Sequence, residues 1–138
     1  MKEKFIQNAV NNFLNEGYSC SESVVKAAFD FGMVDKSAIS IATSFSGGMS
    51  SRCACGALTG AQIVIGFLHG KLKDNTARAL AKEMYDKFCE KYKVACCKVL
   101  SSGFKDFHSK ERKLHCVNMV KDSCDILYDI VENAKVSA

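Results

Sequence analysis

The 138-residue chain has no proline and no tryptophan. Without proline no helix is interrupted from within, and the apolar residues recur at spacings of three and four rather than two. Strands find little support in such a pattern. No apolar run approaches the ~20 residues needed to span a membrane. The most apolar window, Ala57 to Leu68, is broken by Gly60, Gln62 and Gly66 and reads as a buried helix. The opening residues Met1 to Val10 mix charged and amide groups and lack the apolar core of a signal peptide, so a cytoplasmic protein is expected. The net charge of +4 comes from scattered lysines alternating with acids, without the basic block of a nucleic-acid binder. There is no phosphate loop, no Ser/His/Asp set and no paired-carboxylate signature, which disfavours a conventional hydrolase or kinase. A C-x-x-C motif is absent as well, so a thioredoxin-like enzyme is not indicated.

What the chain does have is cysteine, eight of them. A domain of this length buries a core without staples, and a reducing cytosol gives cysteine no structural disulfide to make. Metal or redox chemistry is the leading explanation for the excess.

The helical periodicity implies an all-α, single-domain bundle of five or six helices around a Gly/Ala-rich central helix. A first helix covers about Lys2 to Asn15 and stops at Gly17. Ser19-Cys-Ser-Glu22 is a capping box, which starts a second helix at Cys20. A third spans about Lys36 to Phe45 and ends at Gly47-Gly48. The fourth, from about Arg52 to His69 with Ser50 or Ser51 as cap, carries the small residues Gly56, Ala57, Gly60 and Ala61, which let a neighbouring backbone approach closely. A fifth runs from an Asp74 or Asn75 cap to about Tyr92, with Ala77, Leu80, Ala81, Met84, Tyr85 and Phe88 facing inward. A short turn then presents Cys96-Cys97, and a last helix, capped by Ser109, runs to about Asn133.

This map sorts the cysteines. Cys89 and Cys124 lie on packed helix faces and read as small core hydrophobes. Cys20 and Cys55 fall in first turns of helices, where unpaired N–H groups and the macrodipole favour a thiolate. Cys116 sits about two turns into the last helix, and Cys96-Cys97 occupy the turn before it. Cys20, Cys55, Cys96, Cys97 and Cys116 can therefore face one pocket and are the candidate redox residues. Gly56, Ala57 and Gly60 leave room beside Cys55 and are the candidate cofactor contacts. His69 and His108 read as surface residues, and His115 as an exposed helix residue beside Cys116.

Cys20 in Tyr-Ser-Cys, then Cys55-Gly-Ala-Leu-Thr-Gly60, then a cysteine before Val99-Leu100, then Cys116 resemble the C_GCAxxG_C_C family, whose members are assigned a redox role from their cysteines. The resemblance covers about residues 9 to 130. It implies a helical domain of this length, found alone and beside haem-bearing segments, with Cys20, Cys55 and Cys116 matching the first, second and fourth family cysteines. The third is Cys96 by spacing to Val99-Leu100, with adjacent Cys97 as the alternative. Cys53, two residues before the motif cysteine, departs from the pattern.

Four cysteines on separate helices suit an iron-sulfur cluster, for which Cys20, Cys55, Cys96 and Cys116 are the candidate ligands. Structural zinc usually takes its ligands as close C-x₂-C pairs, which this chain lacks. Two alternatives stand beside the cluster: a thiol-disulfide protein cycling a cysteine pair, and a non-catalytic module binding soft metal ions. The expected partner is a redox protein or a small-molecule electron donor or acceptor, with no nucleic acid and no membrane; a homodimer stays open.

Overall fold

A computed structural model of the protein describes residues 1–137, with side chains described through residue 135. Seven α-helices and no strand occur among the described residues: α1 (Lys2–Asn15), α2 (Cys20–Asp30), α3 (Ser37–Ala42), α4 (Gly56–His69), α5 (Thr76–Tyr92), α6 (Cys97–Leu100) and α7 (Lys110–Ser137). The all-α class agrees with the sequence, but the count exceeds the expected five or six. The added helix is α6, a single turn in the segment read as a loop. None of the described helices is long and apolar enough to cross a membrane.

Local signals set most boundaries. Gly17 takes a left-handed φ of 79° just past α1, which a side chain would resist. At α2 the Glu22 N–H donates to Ser19 Oγ at 3.3 Å and the Ser19 N–H to Glu22 Oε1 at 2.9 Å, completing the capping box. Ser19 Oγ also accepts from Ser46, tying this cap to the loop before α4. Ser109 Oγ accepts the Arg112 N–H at 3.1 Å and starts α7. The long α7 lies against α1, α2, α4 and α5, and α4 packs on α2, α3, α5 and α7. Phe5, Ile65, Met84, Phe88, Met119 and Leu127 are the large buried side chains between them. The Gly60 face lets α4 approach α2 closely: a Cβ built there would stand 2.7 Å from the Ser21 carbonyl oxygen.

Two sequence expectations need correction. Helix α4 begins at Gly56, not near Arg52, because Gly47, Gly48, Met49, Ser50 and Arg52 all have left-handed backbones. Cys53 to Cys55 then extend antiparallel to Ala95 to Cys97. The Cys55 N–H donates to Ala95 O at 2.7 Å, the Cys97 N–H donates to Cys53 O, and Ala54 bridges Cys96. On α5 the inward stripe is narrower than its periodicity suggests. Met84 and Phe88 are buried, whereas Tyr85 is 49 % exposed because the outer side of α5 has no covering helix.

Candidate functional site: a cysteine-lined cavity

A cavity of about 490 Å³ opens where α2, α4, α6 and α7 converge. Four cysteines line it, each from a different element. Cys20 is the first residue of α2, Cys55 immediately precedes α4, Cys97 is the first residue of α6, and Cys116 lies in the second turn of α7. The antiparallel pairing of segments 53–55 and 95–97 sets Cys55 opposite Ala95 and Cys97 opposite Cys53, which holds the two cavity cysteines Cys55 and Cys97 at opposite ends of one short ladder. Gly48 allows that pairing to close: a Cβ there would meet the Cys53 nitrogen at 2.6 Å and the Cys97 Cβ at 2.7 Å.

Of the two adjacent cysteines, Cys97 lines the cavity and Cys96 does not; the Cys96 thiol points to the Arg52 carbonyl oxygen at 3.7 Å. Neighbouring residues of an extended-to-helix junction point different ways, so one residue of register decides the matter. Cys53 is exposed, Cys89 half-buried and Cys124 fully buried in the core. Gly56 lines the cavity, whereas Ala57 and Gly60 do not, and Gly60 faces the α2 backbone instead. His115 donates from Nε2 to the Leu100 carbonyl at 3.0 Å and packs on Phe104, away from the cavity lining. His108 lines the rim.

The thiols are electrostatically unequal. The Cys20 thiol donates a hydrogen bond to the Cys116 sulfur, which holds Cys116 down to about 6 despite its burial, with the Arg112 guanidinium adding to the effect. Arg112 Nη1 stands 3.6 Å from that sulfur. The same contact pushes Cys20 well above the usual thiol range, because Cys20 must give up the proton it shares. Burial pushes Cys55 up to about 11, although the Leu58 and Ala57 N–H groups at the start of α4 point at its sulfur. Cys97 is raised by burial and by the negative charge of Cys116. Thiolate character was expected at the helix starts, Cys20 and Cys55; it resides on Cys116, because loss of solvent outweighs two backbone N–H groups.

Residues 18–130 match the family model described as "Putative redox-active protein (C_GCAxxG_C_C)". The chain belongs to this family. The match spans all four cavity cysteines, and a redox role follows from membership. No curated protein and no solved structure matches the chain.

Three further residues shape the site, Arg112, Phe107 and Arg52. Arg112 stands four residues before Cys116 on one helix, the spacing that makes side chains neighbours, and that signal was available. Its Nε donates to the Phe107 carbonyl, and its guanidinium carbon lies 4.1 Å from the Phe107 ring centroid. Arg52 stacks on the same ring at 4.3 Å. Nothing local in the sequence brings Arg52 to Phe107; the left-handed turn does.

Proposed function

We propose that the chain is an electron-transfer protein that holds an iron-sulfur cluster through Cys20, Cys55, Cys97 and Cys116. The observation that carries this reading is the convergence of four cysteines from four elements on one cavity of about 490 Å³. Among the described residues no three His, Cys, Asp or Glu side chains gather as a single metal ion requires. A cluster differs in this respect, since its thiolate ligands surround an inorganic core rather than meet at one atom. The donor set is all sulfur, which suits iron-sulfur chemistry and offers nothing to harder ions.

Such a cluster, when bound, supplies one-electron transfer near the potential its surroundings set. The chain contributes those surroundings. The Ala57 and Leu58 N–H groups point at the Cys55 sulfur, and Arg112 points at Cys116. Hydrogen bonds and cations at ligand sulfurs favour added negative charge and so raise the potential. Phe13, Leu100 and Met119 line the apolar side and limit water.

Anaerobic purification tests the reading. Visible absorption with matching iron and labile sulfide is expected, and a colourless protein with four titratable cavity thiols after iron and sulfide reconstitution would overturn it.

The contact between Cys20 and Cys116 favours a second reading, a dithiol-disulfide couple. The Cys116 thiolate would attack an external disulfide and release one thiolate. Cys20, losing its proton, would then attack the Cys116 sulfur, closing the internal disulfide and releasing the second thiolate. The external disulfide is reduced by two electrons and the pair oxidised by two. A colourless protein whose reversible thiol count changes by two would favour it.

A further inference from the structure

The rim of the cavity carries charge that the four cysteines do not account for. Its lining includes two arginines, Arg52 and Arg112, and no carboxylate. Both guanidinium groups lie over the Phe107 ring, at 4.3 and 4.1 Å from its centroid, so two positive charges are gathered at one spot. Stacking on a ring face holds a guanidinium flat and leaves its N–H edge free to donate. Neither arginine has an ion-pair partner among the described residues. Asp106, the acid closest in sequence to Phe107, instead accepts from the His108 N–H at 2.9 Å.

The two arginines are not equivalent. Arg112 uses Nε on the Phe107 carbonyl and Nη1 on Cys116, so its role toward the sulfurs is defined. The Arg52 guanidinium donates no hydrogen bond to any described residue, although it is carried to the ring on an unusual backbone. Met49, Ser50 and Arg52 are non-glycine residues with φ of 61°, 56° and 55°. Such conformations persist only where the surroundings enforce them, and here they bring a cation to the cavity mouth. Ser46 and Ser50 line the same cavity, and their hydroxyls donate to Ser19 Oγ and to the Ser46 carbonyl, which braces this segment. The cavity, at about 490 Å³, lies in the size range of small-molecule sites.

We propose that this rim is a binding site for a small molecule bearing an oxyanion group, a phosphate or a carboxylate, held by the guanidinium edge of Arg52 beside the cysteines, with the positive charge of Arg112 reinforcing it. A planar fork of N–H donors matches either group in two-point fashion, and a one-sign cleft with apolar walls concentrates anions. The site stands on the arginines and the cavity and does not require a particular chemistry at the sulfurs.

The test is a titration of the anaerobically isolated full chain with inorganic phosphate, followed by calorimetry, with acetate as a second arm. Saturable binding of one anion per chain is expected, weakened at least tenfold in Arg52→Gln and less in Arg52→Lys, which keeps the charge but loses the fork. Arg78→Gln, on the outer face of α5, should bind as wild type does. Tighter binding of phosphate or of acetate identifies which group the site prefers. Absence of saturation with both anions, unchanged affinity in Arg52→Gln, or equal loss in Arg78→Gln would overturn the proposal. Circular dichroism of each variant confirms that the fold is retained. Iron and sulfide measured on the same samples report on the cluster separately: a protein that binds phosphate without ever holding iron refutes the cluster and leaves the anion site standing.

Discussion

The Cys20 thiol donates to the Cys116 sulfur across the contact between α2 and α7, so a single proton links the first and last cysteines of the family pattern. In reduced, metal-free protein, Cys116 is therefore the reactive thiol. Its alkylation by iodoacetamide should rise through pH about 6 and level off before neutral pH is well passed. Cys20→Ala or Arg112→Gln should move that midpoint toward the ordinary ~8.5. Mass spectrometry of the alkylated peptide checks it; a wild-type midpoint at the ordinary value contradicts the pairing.

Cys97 and Cys96 should differ sharply although they are neighbours. Cys97→Ser is expected to lose most bound iron and visible absorbance, while Cys96→Ser retains both, since only Cys97 lines the cavity. Cys124→Ala should keep the iron and lose stability by about 1 kcal/mol, the cost of a small core cavity. The reverse pattern of iron retention would place the ligands elsewhere.

Two glycines of α4 should respond with opposite signs. At Gly60 a methyl group would press on the Ser21 carbonyl of α2, so Gly60→Ala should destabilise by about 1–3 kcal/mol. At Gly66 nothing lies within 4 Å of the added carbon, and Gly66→Ala should stabilise by about 0.5–1 kcal/mol through helix propensity. Urea unfolding of the two variants measures both.

Stability of the iron-free protein should fall on the alkaline side. Cys55 has its folded value raised to about 11, and burial raises Cys124 too. Their contribution is complete below the unfolded thiol value and is lost as pH climbs, for Cys55 from ~9 toward 11 by up to ~3 kcal/mol, with Cys124 adding to the alkaline loss. Cys116 acts oppositely: its lowered value contributes above the unfolded value and is lost as pH falls toward about 6. Thermal unfolding at stepped pH should show a maximum near pH 8 to 9, with a shallower alkaline decline in Cys124→Ala.

Where local chemistry decides, the sequence could be read. The Ser19/Glu22 box, the Ser109 cap and Gly17 each act within a few residues, and the helices they bound were legible. Cys124 was likewise readable as core from its place on the apolar face of α7. The turn at Gly47–Arg52 was not, because Ser50 and Ser51 look like helix caps while the segment that follows them, 53–55, pairs with residues some forty positions later. Spacing to Val99-Leu100 points to Cys96, whereas the same long-range pairing turns Cys97 rather than Cys96 into the cavity. The thiolate was misplaced because helix-start electrostatics are local, whereas burial and a cross-helix hydrogen bond are properties of the assembled fold.

The pairing of residues 53–55 with 95–97, and of Cys20 with Cys116, also governs the order of biogenesis. No segment of the chain owns two cavity cysteines close in sequence, so the site does not exist on a growing polypeptide until α7 has been synthesised and has docked. Such long-range closures form late, after the local helices that they join. Any prosthetic group must accordingly be inserted into a nearly finished fold through the open rim, and a ribosome-bound chain ending before α7 would carry exposed thiols with no means of sharing them.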